Sequence, residues 1–140
     1  MDKLLLDTNF LLDVALEMRP DSSFATQLTQ MVVKGSVTCL VTVCSMKDFY
    51  YISRSDISED IKRQWLEFFS EIFYIPDTGS CVAKCAISSN EPDFEDGIIR
   101  AVAELEKVDY IITRDKDAYL NSSVCKTSAK EYLRMLRRDE

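Results

Sequence analysis

Short apolar runs alternate with longer amphipathic segments along the whole chain. The apolar runs occupy residues 3–6, 37–41, 72–75, 110–113 and, more weakly, 124–126. Runs of this length with little internal polar alternation are typical of strands that are buried on both faces, as in a parallel sheet. The pattern therefore predicts four to five parallel strands.

The segments between these runs carry apolar residues at helical spacing. They span residues 9–16, 21–35, 42–53, 58–69, 79–88 and about 93–105, and a last helix starts at residue 128. Asp21 and Ser58 are residue types that favour helix starts, and Gly35 is a typical helix end. Because strands and helices alternate, the sequence predicts a single three-layer α/β/α domain over residues 1–140, with helices on both faces of a central parallel sheet.

The composition fits one compact domain. Hydrophobic residues make up 46% and charged residues 29% of the 140 residues, a balance typical of chains that bury a core. No apolar stretch approaches membrane-spanning length, and the residues before Asp7 are too few for a signal segment. We therefore expect a cytoplasmic protein with no membrane contact. The five cysteines are odd in number and form no C-x-x-C pair, so we expect buried free thiols.

The residue types present restrict the chemistry. The chain has no histidine, which excludes a Ser-His-Asp triad, a Cys-His nucleophile and histidine-based zinc sites or ribonucleases. Its three glycines form neither of the usual phosphate-binding glycine patterns, so no nucleotide cofactor is expected. Carboxylates remain as the candidate catalytic groups.

The net charge of −7 is unusual for a protein that contacts nucleic acid, because phosphates favour an electropositive surface. Two explanations are open. In the first, several acids converge on bound cations that offset their charge. In the second, the surface is simply acidic.

Four aspartates are expected to meet at one edge of the sheet. Asp7 follows the first strand and Asp115 follows the run 110–113. The carboxyl ends of parallel strands share an edge, and helices that follow strands begin there, which brings Asp96 and Asp48 to the same place. Such like charges repel each other unless a cation neutralises them. Mg²⁺ and Mn²⁺ fit this set, because they take hard oxygen ligands and support phosphodiester hydrolysis.

Three segments resemble the PIN-domain nucleases, including the VapC-like toxins of bacterial toxin-antitoxin pairs. They are LLLDTNFLLD from residue 4, DFEDGI from residue 93 and YIITRD from residue 110, in the order and spacing of that family. The resemblance covers nearly the whole chain. It implies a PIN-like fold and a ribonuclease that depends on Mg²⁺ or Mn²⁺.

The resemblance also implies roles for particular residues. The implied metal ligands and catalytic acids are Asp7, Asp96 and Asp115, with Asp93 as an auxiliary acid and Asn9 and Thr113 as hydrogen-bonding supports. One position departs from the family. In the helix after the second strand the family usually has a glutamate, whereas this chain has Asp48, whose side chain is one methylene shorter. Asp48 is either a further ligand, directly or through water, or too short to reach the ion.

Basic residues close to these acids are candidates for holding RNA phosphates. The candidates are Lys47, Arg100, Arg114 and Lys116. Asp13 is not assigned to the site, because its place in the first helix favours a position on the helix surface.

Alternatives to an active ribonuclease remain. A PIN scaffold could bind RNA or a protein partner without cutting, which the net charge and Asp48 both permit. The chain could also be a toxin held by a cognate antitoxin, and a homodimer is expected because members of the family often dimerise. The segment Asp7-Thr8-Asn9 resembles the opening of haloacid-dehalogenase phosphatases, but Asn9 replaces their second acid and that family leaves Asp96 unexplained.

Overall fold

The computed structural model describes residues 1–139 as an alternation of strands and helices. The strands are β1 (Lys3–Leu6), β2 (Thr38–Leu40), β3 (Tyr110–Ile112) and β4 (Cys125–Thr127). The helices are α1 (Thr8–Ala15), α2 (Ser22–Val33), α3 (Val43–Ile52), α4 (Glu59–Ile72), α5 (Ser80–Ser88), α6 (Phe94–Glu106) and α7 (Ala129–Arg138), with a short 3₁₀ turn at Ser53–Ser55. Within residues 1–139 no helix has both the length and the apolarity needed to cross a membrane.

All four strands are parallel and lie in the order β2-β1-β3-β4. β1 pairs with β2 on one side and with β3 on the other. After β1 the chain forms β2 on one side of it and later forms β3 on the other side, so the strand order reverses beside β1. Loops diverge at such a reversal and leave a crevice outside the carboxyl ends of the strands. The end of β1 opens into this crevice.

The alternation of side chains along β1 divides the core in two. Leu4 and Leu6 join a cluster formed with α1, α2, α3, α4 and α7, whereas Leu5 joins a second cluster formed with α5 and α6. Ile112 and Ile111 of β3 divide between the two clusters in the same way. The structure therefore confirms the three-layer α/β/α prediction, with four strands in the sheet.

Side-chain caps fix several helix starts. Ser58 and Ser128 cap α4 and α7, each by accepting a hydrogen bond from the backbone N–H three residues later. Asp21 precedes α2 but makes no such bond, and its carboxylate instead pairs with Arg114. The helix starts at Ser58 and Ser128 are thus confirmed, whereas the capping role of Asp21 is not.

The strand predicted at residues 72–75 is not formed. α4 continues to Ile72, and Tyr74 makes only an isolated parallel bridge to Leu40 of β2. Pro76 follows two residues later and has no N–H with which to extend a ladder. This segment is therefore a single bridge at the β2 edge of the sheet.

The prediction of buried cysteines holds only in part. Cys39 is buried and Cys44 is half-buried, but Cys81, Cys85 and Cys125 are exposed. Cys81 and Cys85 lie four residues apart on α5, which places them on the same face of that helix. That face is turned to solvent.

Asp13 is buried, and the prediction of an exposed helix position is wrong. Its side chain is 3% exposed and accepts a hydrogen bond from Arg19 Nε at 2.7 Å. Arg114 donates to the same carboxylate and also pairs with Asp21 Oδ2 at 3.1 Å. This network joins α1, the residue before α2 and the segment after β3. The spacing within α1 does not reveal it, because both arginines lie outside the helix.

At Gly97, α6 lies so close to α5 that a side chain has no room. A Cβ at this position would lie 2.9 Å from the carbonyl oxygen of Ala86 and 2.9 Å from Ser89 Oγ. The first of these atoms belongs to the backbone of α5 and cannot rotate away. Even a methyl group therefore requires the two helices to move apart.

Gly97→Ala is expected to lower the free energy of unfolding by about 1–3 kcal/mol, the usual cost of overpacking. The sign of this change in the free energy of unfolding is informative, because helix propensity alone would favour alanine over glycine by about 1 kcal/mol. Urea denaturation measures the change. Ile87→Ala, at a residue of α5 that is 73% exposed, serves as control and is expected to stay within about 0.5 kcal/mol of the parent. A stabilised Gly97→Ala protein would contradict the close approach.

Candidate metal centre

The crevice at the carboxyl edge of the sheet forms a pocket of about 150 Å³. Its wall includes all four aspartates whose convergence the sequence predicts. They are Asp7 at the end of β1, Asp48 in α3, Asp96 in α6 and Asp115 in the segment after β3. The fold thus gathers acids from four separate parts of the chain.

Asp7 links the central strand to α1. Its N–H donates to the carbonyl oxygen of Ile112 in β3 at 3.3 Å, and its Oδ1 caps α1 by accepting from Phe10 N at 3.0 Å. Burial raises the pKa of this carboxyl, while hydrogen bonds from Thr113 and Phe10 and the charge of Arg114 act against the rise. A carboxylate in such surroundings is stabilised by a cation placed beside it.

Asp96 lies in the first turn of α6, and Asp93 caps the same helix. Asp93 Oδ1 accepts from Asp96 N at 2.8 Å, and the Asp93 side chain is exposed and lies outside the pocket wall. Burial, followed by the negative charges of Asp93, Asp115 and Glu91, raises the pKa of Asp96 to about 6. Asp93 therefore acts on the pocket by its charge and by fixing the start of α6.

Asp115 occupies a tight turn after β3. Its N–H donates to Thr113 Oγ1 at 3.1 Å, and its Oδ1 accepts from Asp117 N at 2.8 Å and from Ala118 N at 3.2 Å. Thr113 is buried, and its side chain is among the groups that act against the raised pKa of Asp7. Thr113 therefore lies between the end of β3 and the turn of Asp115, beside the carboxyl of Asp7.

Asp48 enters the pocket from α3 with its charge already paired. Lys47 Nζ lies 2.8 Å from Asp48 Oδ1, and the two side chains are 71% and 19% exposed. The hydrogen bond to Asp48 is the main reason why the pKa of Lys47 is raised. Asn9 lies on the pocket wall nearby, where its Oδ1 accepts from Arg19 Nη2 at 3.1 Å.

The arrangement of donors suits a hydrated ion better than a fully enclosed one. Among residues 1–139, no three acidic or cysteine side chains form a group arranged to hold a metal ion. Several carboxylate oxygens instead bond to their own turns, as at Asp7 and Asp115. Mg²⁺ commonly keeps several waters and binds through one or two carboxylates. The pocket has room for such waters, so its acidic oxygens fit this kind of ion.

The four predicted phosphate-binding residues lie in different surroundings. Arg100 makes ion pairs with two glutamates at 2.9 and 3.2 Å. Arg114 belongs to the buried acid network described above. Lys47 lies beside the pocket and forms an ion pair with Asp48. Lys116 is exposed and lines an adjoining groove together with Arg114. Arg100 is therefore largely committed to internal acids, whereas Arg114 pairs with acids but remains partly exposed, as do Lys47 and Lys116.

Tyr119 is a pocket residue that the sequence analysis did not identify. It is 5% exposed, its backbone φ is +63°, and its hydroxyl lies 3.5 Å from Asp96 Oδ1. It occurs in an irregular segment between β3 and β4, where no periodic pattern indicates burial. Only its position four residues after Asp115 could have drawn attention to it.

Comparison with known proteins identifies the family. The sequence matches the PIN domain over residues 3–117. No curated protein matches it. Among solved structures, the toxin VapC20 of Mycobacterium tuberculosis, which is described as cleaving the sarcin-ricin loop, is similar with a TM-score of 0.66 and 11% identity, over 81% of this chain and 91% of that one.

Two toxin-antitoxin structures are similar to the same degree. VapBC2 of Rickettsia felis, bound to promoter DNA, matches with a TM-score of 0.65 and 12% identity over 90% of this chain and 98% of that one. A toxin-antitoxin complex of Klebsiella pneumoniae matches with a TM-score of 0.65 and 17% identity, over 90% and 97%. The TM-scores of these three structures show a shared fold. The match to the PIN domain covers most of the chain. The chain therefore belongs to the PIN-domain family, a family of nucleases.

Proposed function

We propose that this protein is a divalent-metal-dependent ribonuclease that hydrolyses phosphodiester bonds of RNA. The observation that carries the proposal is the single pocket in which Asp7, Asp48, Asp96 and Asp115 meet where the strand order reverses. The raised pKa values of Asp7 and Asp96 support it: burial disfavours both carboxylates, neighbouring acids add to this effect at Asp96, and a bound cation would stabilise the charged forms. Membership of the PIN family supports nuclease chemistry.

The proposed ligands act through their carboxylate oxygens. Asp7, Asp96 and Asp115 would hold Mg²⁺ or Mn²⁺, with Asp48 and Asp93 as auxiliary acids. An ion of this kind polarises a phosphate oxygen and lowers the pKa of water. No histidine is needed for that chemistry, in keeping with the composition.

Residues around the ligands would orient them and receive the substrate. Thr113 accepts from the backbone N–H of Asp115 and so holds the turn from which that carboxylate projects, while Asp117 N and Ala118 N bond to the carboxylate itself. Asn9 borders the same wall. Lys47 and Lys116 are exposed cations close to the acids, where an approaching RNA phosphate would meet them.

We further propose that the protein is the toxin of a toxin-antitoxin pair. Two of the similar structures are toxin-antitoxin assemblies and the third is a toxin that cleaves RNA. The net charge of −7 suits a partner with basic residues, since complementary charge favours association. The homodimer stays a prediction drawn from the family, and the cytoplasm remains the expected location.

The first test is cleavage of a mixed single-stranded RNA pool in Mn²⁺. The parent is expected to cut RNA, and Asp96→Asn to lose at least about two orders of magnitude in rate, because a ligand of the ion that would stabilise the transition state is lost. Asp77→Asn alters an exposed acid outside the pocket and is expected to cut like the parent. Equal cleavage by parent and Asp96→Asn would place the activity elsewhere, for instance in a contaminant.

Stability without divalent ions is expected to depend on Asp96 with a defined sign. The folded pKa of about 6 lies above the ordinary value of 3.8, so the folded state binds more protons than the unfolded state between these pH values. The contribution of Asp96 to stability therefore falls as pH rises from about 4 to about 6. At pH 7 in chelator, Asp96→Asn is expected to melt a few degrees above the parent, with the difference shrinking toward pH 4.

Mn²⁺ is expected to reverse this order. An ion that binds only the folded parent stabilises it by about 2.7 kcal/mol at a concentration of about 100 Kd, whereas Asp96→Asn gains less. Differential scanning calorimetry at pH 7, with and without Mn²⁺, measures both effects. A parent whose melting temperature is unchanged by Mn²⁺ would sink the metal-dependent enzyme.

A second candidate function is a catalytically weak scaffold that binds RNA or a protein partner. The observation that favours it is the Lys47–Asp48 ion pair, which neutralises the shorter acid where the family usually has a glutamate. In this case Asp48 contributes little charge to the pocket. The two candidate functions are compatible with the same fold, and they differ in the metal affinity that each one implies.

Lys47→Ala measures how strongly this pair competes with the ion. Removing an exposed cation releases Asp48, and the Mn²⁺ affinity is expected to rise about two- to fivefold, the range of an exposed ion pair worth about 0.4–1 kcal/mol. Isothermal titration calorimetry gives the affinity. Lys34→Ala, at an exposed lysine just after α2, is the matched control. Unchanged affinity in Lys47→Ala would exclude this competition.

A further inference from the structure

Tyr119 adopts a backbone conformation that a large side chain rarely takes. Its φ of +63° is in the left-handed region, which favours glycine and asparagine. The ring belongs to the core cluster shared with α5 and α6. Filling that core does not by itself require a left-handed backbone, so something else holds the residue in place.

Glu91 holds the backbone of Tyr119 from one side. The N–H of Tyr119 donates to Glu91 Oε2 at 2.9 Å, and the Glu91 side chain is only 3% exposed. The other oxygen of this carboxylate pairs with Arg100 Nη1 at 3.2 Å. The bond to Tyr119 is therefore made by a buried, charge-balanced acceptor whose position is fixed by a second partner.

Arg100 ties this acceptor to the rest of the segment. Its Nη2 donates to the carbonyl oxygen of Asn121 at 2.9 Å, and its Nη1 donates to Asn90 Oδ1 at 2.7 Å. Its Nε pairs with Glu104 of α6 at 2.9 Å. One guanidinium thus joins the loop before α6 to the loop that follows Tyr119.

Lys126 holds the same turn from the opposite end. Its Nζ donates to the main-chain oxygens of Asp115 and Ala118, both at 2.7 Å. Asp115 and Tyr119, which both line the pocket, are therefore the ends of one turn restrained by Lys126 and Glu91. A turn restrained at both ends can keep a costly backbone conformation.

The hydroxyl of Tyr119 is directed into the carboxylate pocket. It donates to Asp96 Oδ1 at 3.5 Å, the outer limit of a hydrogen bond. An ordinary tyrosine has a pKa of about 10, so the hydroxyl keeps its proton near neutral pH and can act only as a donor toward carboxylates. It is a neutral donor among negative groups.

We propose that Tyr119 is a positioning residue of this pocket: the restrained turn directs its hydroxyl at Asp96 and fixes the orientation of that carboxylate. The consequence for metal binding rests on the proposed function, in which Asp96 is a ligand. Residues that orient a ligand from behind in this way typically change metal affinity by about 10–100-fold when they are altered.

Tyr119→Phe isolates the hydroxyl, because the ring, the buried packing and the bond to Glu91 all remain. Its Mn²⁺ affinity, measured by calorimetric titration, is expected to fall about tenfold or more, with an unchanged midpoint of urea denaturation in chelator. Tyr74→Phe removes the hydroxyl of a tyrosine that is 54% exposed and is expected to bind Mn²⁺ like the parent. Parent-like affinity in Tyr119→Phe overturns the proposal.

A second measurement separates this proposal from the proposed function. The ¹³C signal of the Asp96 side-chain carboxyl, recorded in chelator at pH 8, is expected to shift in Tyr119→Phe and to stay in place in Tyr74→Phe. If the parent fails to bind Mn²⁺, the ribonuclease proposal fails, and the carboxyl signal still decides the positioning role. An unmoved Asp96 signal in Tyr119→Phe overturns that role in either case.

Discussion

The burial of β1 on both faces is the constraint on which the rest of the structure depends. A strand with no polar face must be covered by helices on both sides of the sheet. The odd and even residues of β1 accordingly pack against two different sets of helices. The helices that cover the sheet are also the crossover connections between its strands, and such connections join parallel neighbours. The carboxyl ends of the strands therefore share one edge. The clustering of Asp7 and Asp115 is therefore a consequence of how the leucines of β1 are buried.

Periodicity made most of this architecture predictable. The runs around β1 and β3 are unbroken by charge until Asp7 and Arg114, so both the strands and the acids at their ends could be placed from the sequence. Residues 72–75 have the same apolar character but form only a bridge, because the preceding helix extends to Ile72 and Pro76 closes the segment. Local pattern identifies apolar segments, whereas the number of residues available for pairing depends on the tertiary fold.

The residues that could not be predicted owe their surroundings to distant parts of the chain. Asp13 is buried because Arg114, far away in sequence, closes over it. Tyr119 enters the pocket because of a single backbone angle in an irregular turn. The sequence likewise shows the charges of Arg100 and Arg114 but not the acids with which they pair.

The commitment of both arginines to internal acids has a consequence for how RNA would reach the protein. With a net charge of −7 and few free cations beside the pocket, long-range electrostatics oppose the encounter instead of steering it. Added salt would screen that repulsion, so association would become faster with ionic strength, the reverse of the usual behaviour of nucleic-acid-binding proteins.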